Sequence, residues 1–292
     1  MKIINFLATD GIQLNGILYE SPNKTKRIIL AVHGMSSNCF KKRDEIIAEK
    51  ANEANIDYFC FNNRGSELAK YIRKKVEGKM EKMLGGMSYE DPLEGYEDIV
   101  GAILKLKELG YEEIYLQGHS LGCTKIVYTV NKLKEEKRQD ILENIKAIIL
   151  LSLIDIPMAI KVYLGENFEK CLKLAEEKKA MGNLYELMPN NAFIHPVSVK
   201  TFLRYARDNQ EINFAAYNAD KEFKILNSIE VPLFMRWGNE KEMIIQKSEE
   251  LTQLLNDKIL NKNKDINFID GADHGYNGKE ENLAEQIVGF LK

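Results

Sequence analysis

Glu113-Ile114-Tyr115-Leu116-Gln117-Gly118-His119-Ser120-Leu121-Gly122 is the stretch on which the reading of this chain turns. Its first five residues are an apolar run of strand length, and an amphipathic helical pattern from Leu121 to Leu133 follows without a break. Between them lies Gly-x-Ser-x-Gly. That five-residue motif, with three positions fixed, is weak alone, but a strand before it and a helix after it are what lift a serine hydroxyl out of a sheet on a strained turn. Gly118 and Gly122 stand where side chains would collide with the neighbouring strand and helix. A glycine turn with an idle Ser120 is the plain alternative.

Working outward, the pattern repeats. Arg27 to Val32, Asp57 to Phe61, Lys146 to Leu151, Val231 to Trp237 and Ile266 to Ile269 are further apolar runs, six in all with Glu113 to Gln117. Helical patterns separate them, over Lys42 to Ala54 and over Pro92 to Leu109, where Pro92 opens the helix and Gly110 stops it. Continuous apolar strands alternating with amphipathic helices predict a mostly parallel, doubly wound α/β sheet covered on both faces. The first twenty residues read as a hairpin turning at Asp10-Gly11. Two segments break the alternation. In Ser66 to Ser88 the apolar residues Ala69, Ile72, Val76, Met80 and Met83 recur at helical steps, predicting an extra helix. Residues 155–230 form an insertion with helical patterns near Phe168 to Met181 and Val199 to Ala206, long enough to be a cap rather than a bare loop. The expected division is a core of 1–154 and 231–292 with a helical cap of 155–230.

Composition narrows the function. The 292 residues are 45% hydrophobic and 29% charged, which a packed globular core requires. With 41 basic and 44 acidic residues the formal charge is −3, so no field attracts nucleic acid. No apolar stretch reaches the length of a membrane span. Cys39, Cys60, Cys123 and Cys171 lack C-x-x-C pairing and nearby histidine pairs, so neither a zinc site nor a disulfide framework is expected. Free core thiols and an N-terminus without a signal-peptide core predict a cytoplasmic protein. No dinucleotide or phosphate loop is present, and no cofactor is expected.

A serine hydroxyl needs a base. His274, in Gly271-Ala272-Asp273-His274-Gly275-Tyr276, follows the last strand and would emerge at the same carboxyl edge as Ser120. His119 flanks the serine and is expected to pack away from it. His195, before Pro196, belongs to the insertion, and His33 is expected to shape its own loop. Asp273 reads as a turn residue, and Arg64 as an ion-pair anchor for its loop.

In order and spacing, His33-Gly34-Met35, Asn63-Arg64-Gly65, Gly118 to Gly122 and Ala272-Asp273-His274 resemble the α/β-hydrolase family over nearly the whole chain. The resemblance implies Ser120 as nucleophile, His274 as general base and then acid, and an oxyanion hole from the backbone N–H groups of Met35 and Leu121. It also implies a triad acid, and there this chain departs from the family. The slot three residues after Gly238 holds Lys241, which cannot orient an imidazole. A one-residue loop adjustment would bring Glu242 to the position, with Asp155 and Glu240 as rivals.

The expected activity is that of a serine esterase acting on a small acyl ester. Thioesterase, peptidase or lyase chemistry on the same scaffold, or a binding protein that has lost turnover, are the alternatives. Substrate clues are few. Ser66 to Ser88 carries six basic and three acidic residues, and Tyr163, Phe168, Tyr185, Phe193, Phe202 and Tyr205 of the insertion either line an acyl pocket or pack the cap onto the core.

Overall fold

The computed structural model describes residues 1–207, 223–244 and 246–292. All six apolar runs are strands. In chain order the strands are β1 (Lys2–Leu7), β2 (Gln13–Tyr19), β3 (Arg27–Val32), β4 (Asp57–Asn62), β5 (Lys70–Val76), β6 (Lys79–Gly85), β7 (Glu113–His119), β8 (Ile145–Leu151), β9 (Leu233–Gly238) and β10 (Lys264–Ile269). Eight of them form one sheet in the order β1-β2-β4-β3-β7-β8-β9-β10. From β4 to β10 every neighbouring pair is parallel, while β1 and β2 are the antiparallel hairpin expected at the N-terminus. Gly11, at φ +90°, supplies the turn.

The helices are α1 (Lys42–Glu53), α2 (Gly95–Glu108), α3 (Leu121–Glu135), α4 (Gln139–Leu142), α5 (Ile156–Leu164), α6 (Phe168–Ala180), α7 (Val199–Ala206), α8 (Lys224–Asn227), α9 (Ser248–Lys258) and α10 (Glu280–Phe290). Strand residues alternate between two cores because successive side chains point to opposite faces. Ile28, Leu30 and Val32 of β3 belong to the core that α2, α3 and α9 cover, whereas Ile29 and Ala31 belong to the core covered by α1 and α10. Burial on both faces is why these strands read as unbroken apolar runs.

The helix expected over Ser66 to Ser88 is instead a β-hairpin, β5 paired antiparallel with β6 apart from the main sheet. Its loop has two residues, Glu77 at φ +48° and Gly78 at φ +83°. Two consecutive left-handed residues make the turn whose twist matches paired strands. Ile72 is the residue the hairpin buries, against Gly85, so the helical spacing of its apolar residues was coincidental.

In the insertion, α5, α6 and α7 bring Ile160, Phe168, Phe202 and Tyr205 into a third apolar cluster, which also holds Met87 and Leu121. Residues 208–222 of the insertion lie outside the described residues.

Candidate active site

The carboxyl ends of β3, β7, β9 and β10 lie along one edge of the sheet, where a parallel α/β fold opens its binding crevice. Ser120, between β7 and α3, sits at φ +54°, ψ −122°. A serine in that region costs about 1–3 kcal/mol, which the surrounding packing must hold. The glycines explain how the turn fits. A Cβ on Gly118 would lie 2.6 Å from the Cys123 nitrogen, and one on Gly122 would lie 2.1 Å from the Val32 carbonyl oxygen. Gly34 is equally constrained, since its Cβ would come within 2.9 Å of the Ser120 Cβ.

Ser120 is only 6% exposed and, with His274, lines a cavity of about 460 Å³. The loop after β9 and the loop after β10 are stitched together. Gly238 packs so closely on Ala272 that a Cβ would meet its carbonyl oxygen at 2.1 Å. The Glu240 N–H donates to the Ala272 carbonyl (2.9 Å), and the Gly271 N–H to Asn239 Oδ1 (2.7 Å). Lys241 follows in the left-handed region at φ +50°, and the next residue, Glu242, turns inward.

Glu242 Oε1 accepts a hydrogen bond from His274 Nδ1. Because a carboxylate only accepts, Nδ1 carries the proton and the neutral ring keeps its lone pair on Nε2. The Glu242 side chain is 3% exposed and also accepts from the Ser152 hydroxyl (2.8 Å), the Gly238 N–H (3.1 Å) and the Met243 N–H (2.9 Å). Burial pushes its carboxyl up, but the bonds from His274 and from these backbone N–H groups outweigh it and hold the group below its ordinary 4.5.

The rivals for the acid lie elsewhere. Asp155 caps α5, accepting from the Met158 N–H at 3.1 Å, and Glu240 is exposed. Asp273 closes the turn that carries His274, with Oδ1 accepting from the N–H groups of Gly275 (3.0 Å) and Asn277 (2.9 Å).

The remaining histidines hold the frame. His119 Nε2 donates to the His274 carbonyl at 2.7 Å, and burial holds its pKa well below the ordinary 6.5. His33 bonds the Gly34 carbonyl through Nδ1 (2.8 Å) and accepts from the Asn63 N–H at Nε2 (3.2 Å). Burial pushes its pKa down to about 3. His195 lines the cavity, with Nε2 3.4 Å from Ser36 Oγ. Arg64 anchors its loop as expected, pairing with Asp98 at 2.8 Å and Asp10 at 3.0 Å.

Among the described residues the Met35 N–H has no hydrogen-bond partner. The Leu121 N–H opens α3 and is one of the donors a helix leaves unpaired at its start. Of the insertion aromatics, Tyr163 and Phe193 line the cavity, Phe168, Phe202 and Tyr205 are packed inside, and Tyr185 is exposed.

Sequence reasoning missed Ser152, just past β8, whose hydroxyl holds Glu242 and whose oxygen lies 3.0 Å from the Tyr276 hydroxyl. Tyr276 in turn donates to the Arg236 carbonyl at 2.8 Å. Position at the carboxyl end of a central strand was the available signal for Ser152.

A strained Gly-x-Ser-x-Gly turn after β7, a histidine after β10 and the parallel sheet beneath them are the arrangement of the α/β-hydrolase fold, and this chain has that fold. Solved structures bear this out over the full length. Est1E from Butyrivibrio proteoclasticus, with ferulic acid bound, is 19% identical with a TM-score of 0.67, covering 98% of this chain and 97% of its own. The α/β hydrolase GrgF from Penicillium sp. sh18 is 15% identical with a TM-score of 0.68, covering 100% and 97%. A thermostable carboxyl esterase from Bacillus coagulans, in complex with glycerol, is 12% identical with a TM-score of 0.67, covering 99% and 97%. No known family profile matches the chain, and no curated protein matches it by sequence.

Proposed function

We propose that the protein is a serine hydrolase of the carboxylesterase type that cleaves a small acyl ester through an acyl-enzyme on Ser120. The observation that carries this reading is the Glu242–His274 hydrogen bond at the cavity that Ser120 lines. With Nδ1–H held by Glu242, His274 Nε2 takes the Ser120 proton as Oγ attacks the ester carbonyl. The negative charge that develops on the carbonyl oxygen is met by the N–H groups of Met35 and Leu121, prepared in advance. Collapse of the tetrahedral intermediate expels the alcohol, which takes its proton from His274. Water, activated by the same nitrogen, then releases the acid and restores Ser120.

Residues 155–230 act as the cap in this reading. Ile156, Ile160, Tyr163, Phe193 and Ile194 give the cavity an apolar wall suited to an acyl chain. The core is then 1–154 with 231–292. Four free cysteines, three of them buried, support a reducing, cytoplasmic setting. Among the described residues no helix is long and apolar enough to cross a membrane.

Kinetics on 4-nitrophenyl hexanoate test the assignment of the acid. Glu242→Gln is expected to lower kcat by about a hundredfold or more, because the imidazolium formed in the transition state loses its carboxylate partner. Glu240→Gln is expected to stay within about twofold, as a surface change does. Equal, small effects of both would contradict the Glu242 role.

A further inference from the structure

The cavity has a second wall that acyl chemistry does not use. Opposite in character to the apolar insertion residues, it presents Lys41, Lys42 and Arg43 from the start of α1, with Glu280 as the one carboxylate among the described residues that line it. Glu280 lies 3.8 Å from Lys42, which leaves Lys41 and Arg43 without an acid from that source. Lys41 and Lys42 are exposed, whereas the Arg43 side chain is only 8% exposed.

Arg43 is poorly compensated for a buried cation. Among the described residues its only ion contact is Nη2 to Asp44 Oδ1 at 3.4 Å, and that same oxygen accepts the shorter bond, 3.0 Å, from the Tyr58 hydroxyl. Nε is buried without a partner, and Nη1 has none among the described residues. A buried guanidinium with idle donors is costly unless an anion meets it. Its planar fork matches a carboxylate in two-point geometry. It lines the same cavity as Ser120 and His274, so an anion reaching it would sit within the reach of one small molecule from the nucleophile.

We propose that Arg43, with Lys41 and Lys42 at its approach, is a subsite for a carboxylate carried by the substrate. The inference rests on the hydrolase reading and narrows it to esters with a second, anionic group. Apolar contacts from the insertion take one part of such a molecule and Arg43 takes its charge.

Two matched pairs of esters test the subsite and locate the charge. In the first, 4-nitrophenyl hydrogen adipate is compared with 4-nitrophenyl hexanoate, placing the carboxylate on the acyl side. In the second, 4-carboxyphenyl hexanoate is compared with 4-carbamoylphenyl hexanoate, placing it on the leaving group. In one pair the wild type is expected to favour the anion in kcat/KM by about tenfold or more, the discrimination a buried charge-assisted pair supplies. Arg43→Gln should collapse that ratio towards one, mainly through KM, and Arg43→Lys should retain part of it. A purely structural Arg43 would lower both members of a pair alike and leave the ratio standing, which would overturn the proposal. So would a wild-type ratio at or below one in both pairs. Covalent labelling of Ser120 by a fluorophosphonate keeps the two readings apart, since an enzyme that labels but shows no anionic preference fails only the subsite.

Discussion

At the residue scale, the site depends on side chains held in states they would not choose in water. Ser120 is kept in left-handed backbone by glycines on either side of it, and Glu242 is kept ionised in a nearly sealed position by donors from four residues. His33 and His119 are kept neutral. The unfolded chain takes up a proton on His33 as pH falls through the ordinary 6.5, while in the folded protein burial delays this to about 3. The stability His33 contributes is therefore complete above 6.5 and is lost as pH falls from there towards 3. Between pH 7 and pH 5 it accounts for about 2 kcal/mol, and His119, also depressed by burial, acts in the same direction. Urea unfolding at those two pH values is expected to show a drop of at least about 2 kcal/mol. Equal stability at both would mean that these rings are not buried neutral.

At the scale of elements, α3 and α7 are tied together by the segment 88–91. Lys125 of α3 pairs with Glu90 at 2.6 Å, each side chain 1% exposed, and Lys125 also reaches Asn63 Oδ1 at 3.2 Å. Glu90 receives the Tyr205 hydroxyl at 3.3 Å, Thr201 donates to the Glu90 carbonyl at 2.9 Å, and Arg204 pairs with Asp91 at 2.7 Å. Thus the α7 part of the insertion is pinned to the core through polar bonds as well as through the apolar cluster. Removing one ion of a fully buried pair strands the other. Lys125→Met is expected to cost about 3–5 kcal/mol in urea unfolding, and Lys125→Met with Glu90→Gln to recover much of it. A loss below about 1 kcal/mol for the single change would place the pair among those that contribute little.

For the whole molecule, what could be read from sequence followed local rules. Five of the six strands were legible because burial on both faces demands continuous apolar runs, the edge strand β10 being shorter in its apolar signal and partly exposed. Ser120 and His274 were legible because each occupies a strand end of the same sheet edge. What could not be read depended on loop conformation and tertiary pairing. No spacing rule told that Lys241 would turn left-handed and bring Glu242, not Asp155 or Glu240, to His274. The hairpin of β5 and β6 was hidden because its apolar residues also matched a helical step, and the deciding signal was two residues, Glu77-Gly78. Arg43 reads in sequence as one more cation at the start of a helix, and only the folded chain shows it against the cavity.

The central claim is that Ser120 is an activated nucleophile, and labelling with a fluorophosphonate tests it most directly. Wild type and Ser120→Ala would be treated in parallel and the modified peptide mapped by mass spectrometry. An adduct on Ser120, absent from the folded variant, is the predicted result. Folded wild-type protein that takes up no adduct, or takes it up elsewhere, would contradict the account.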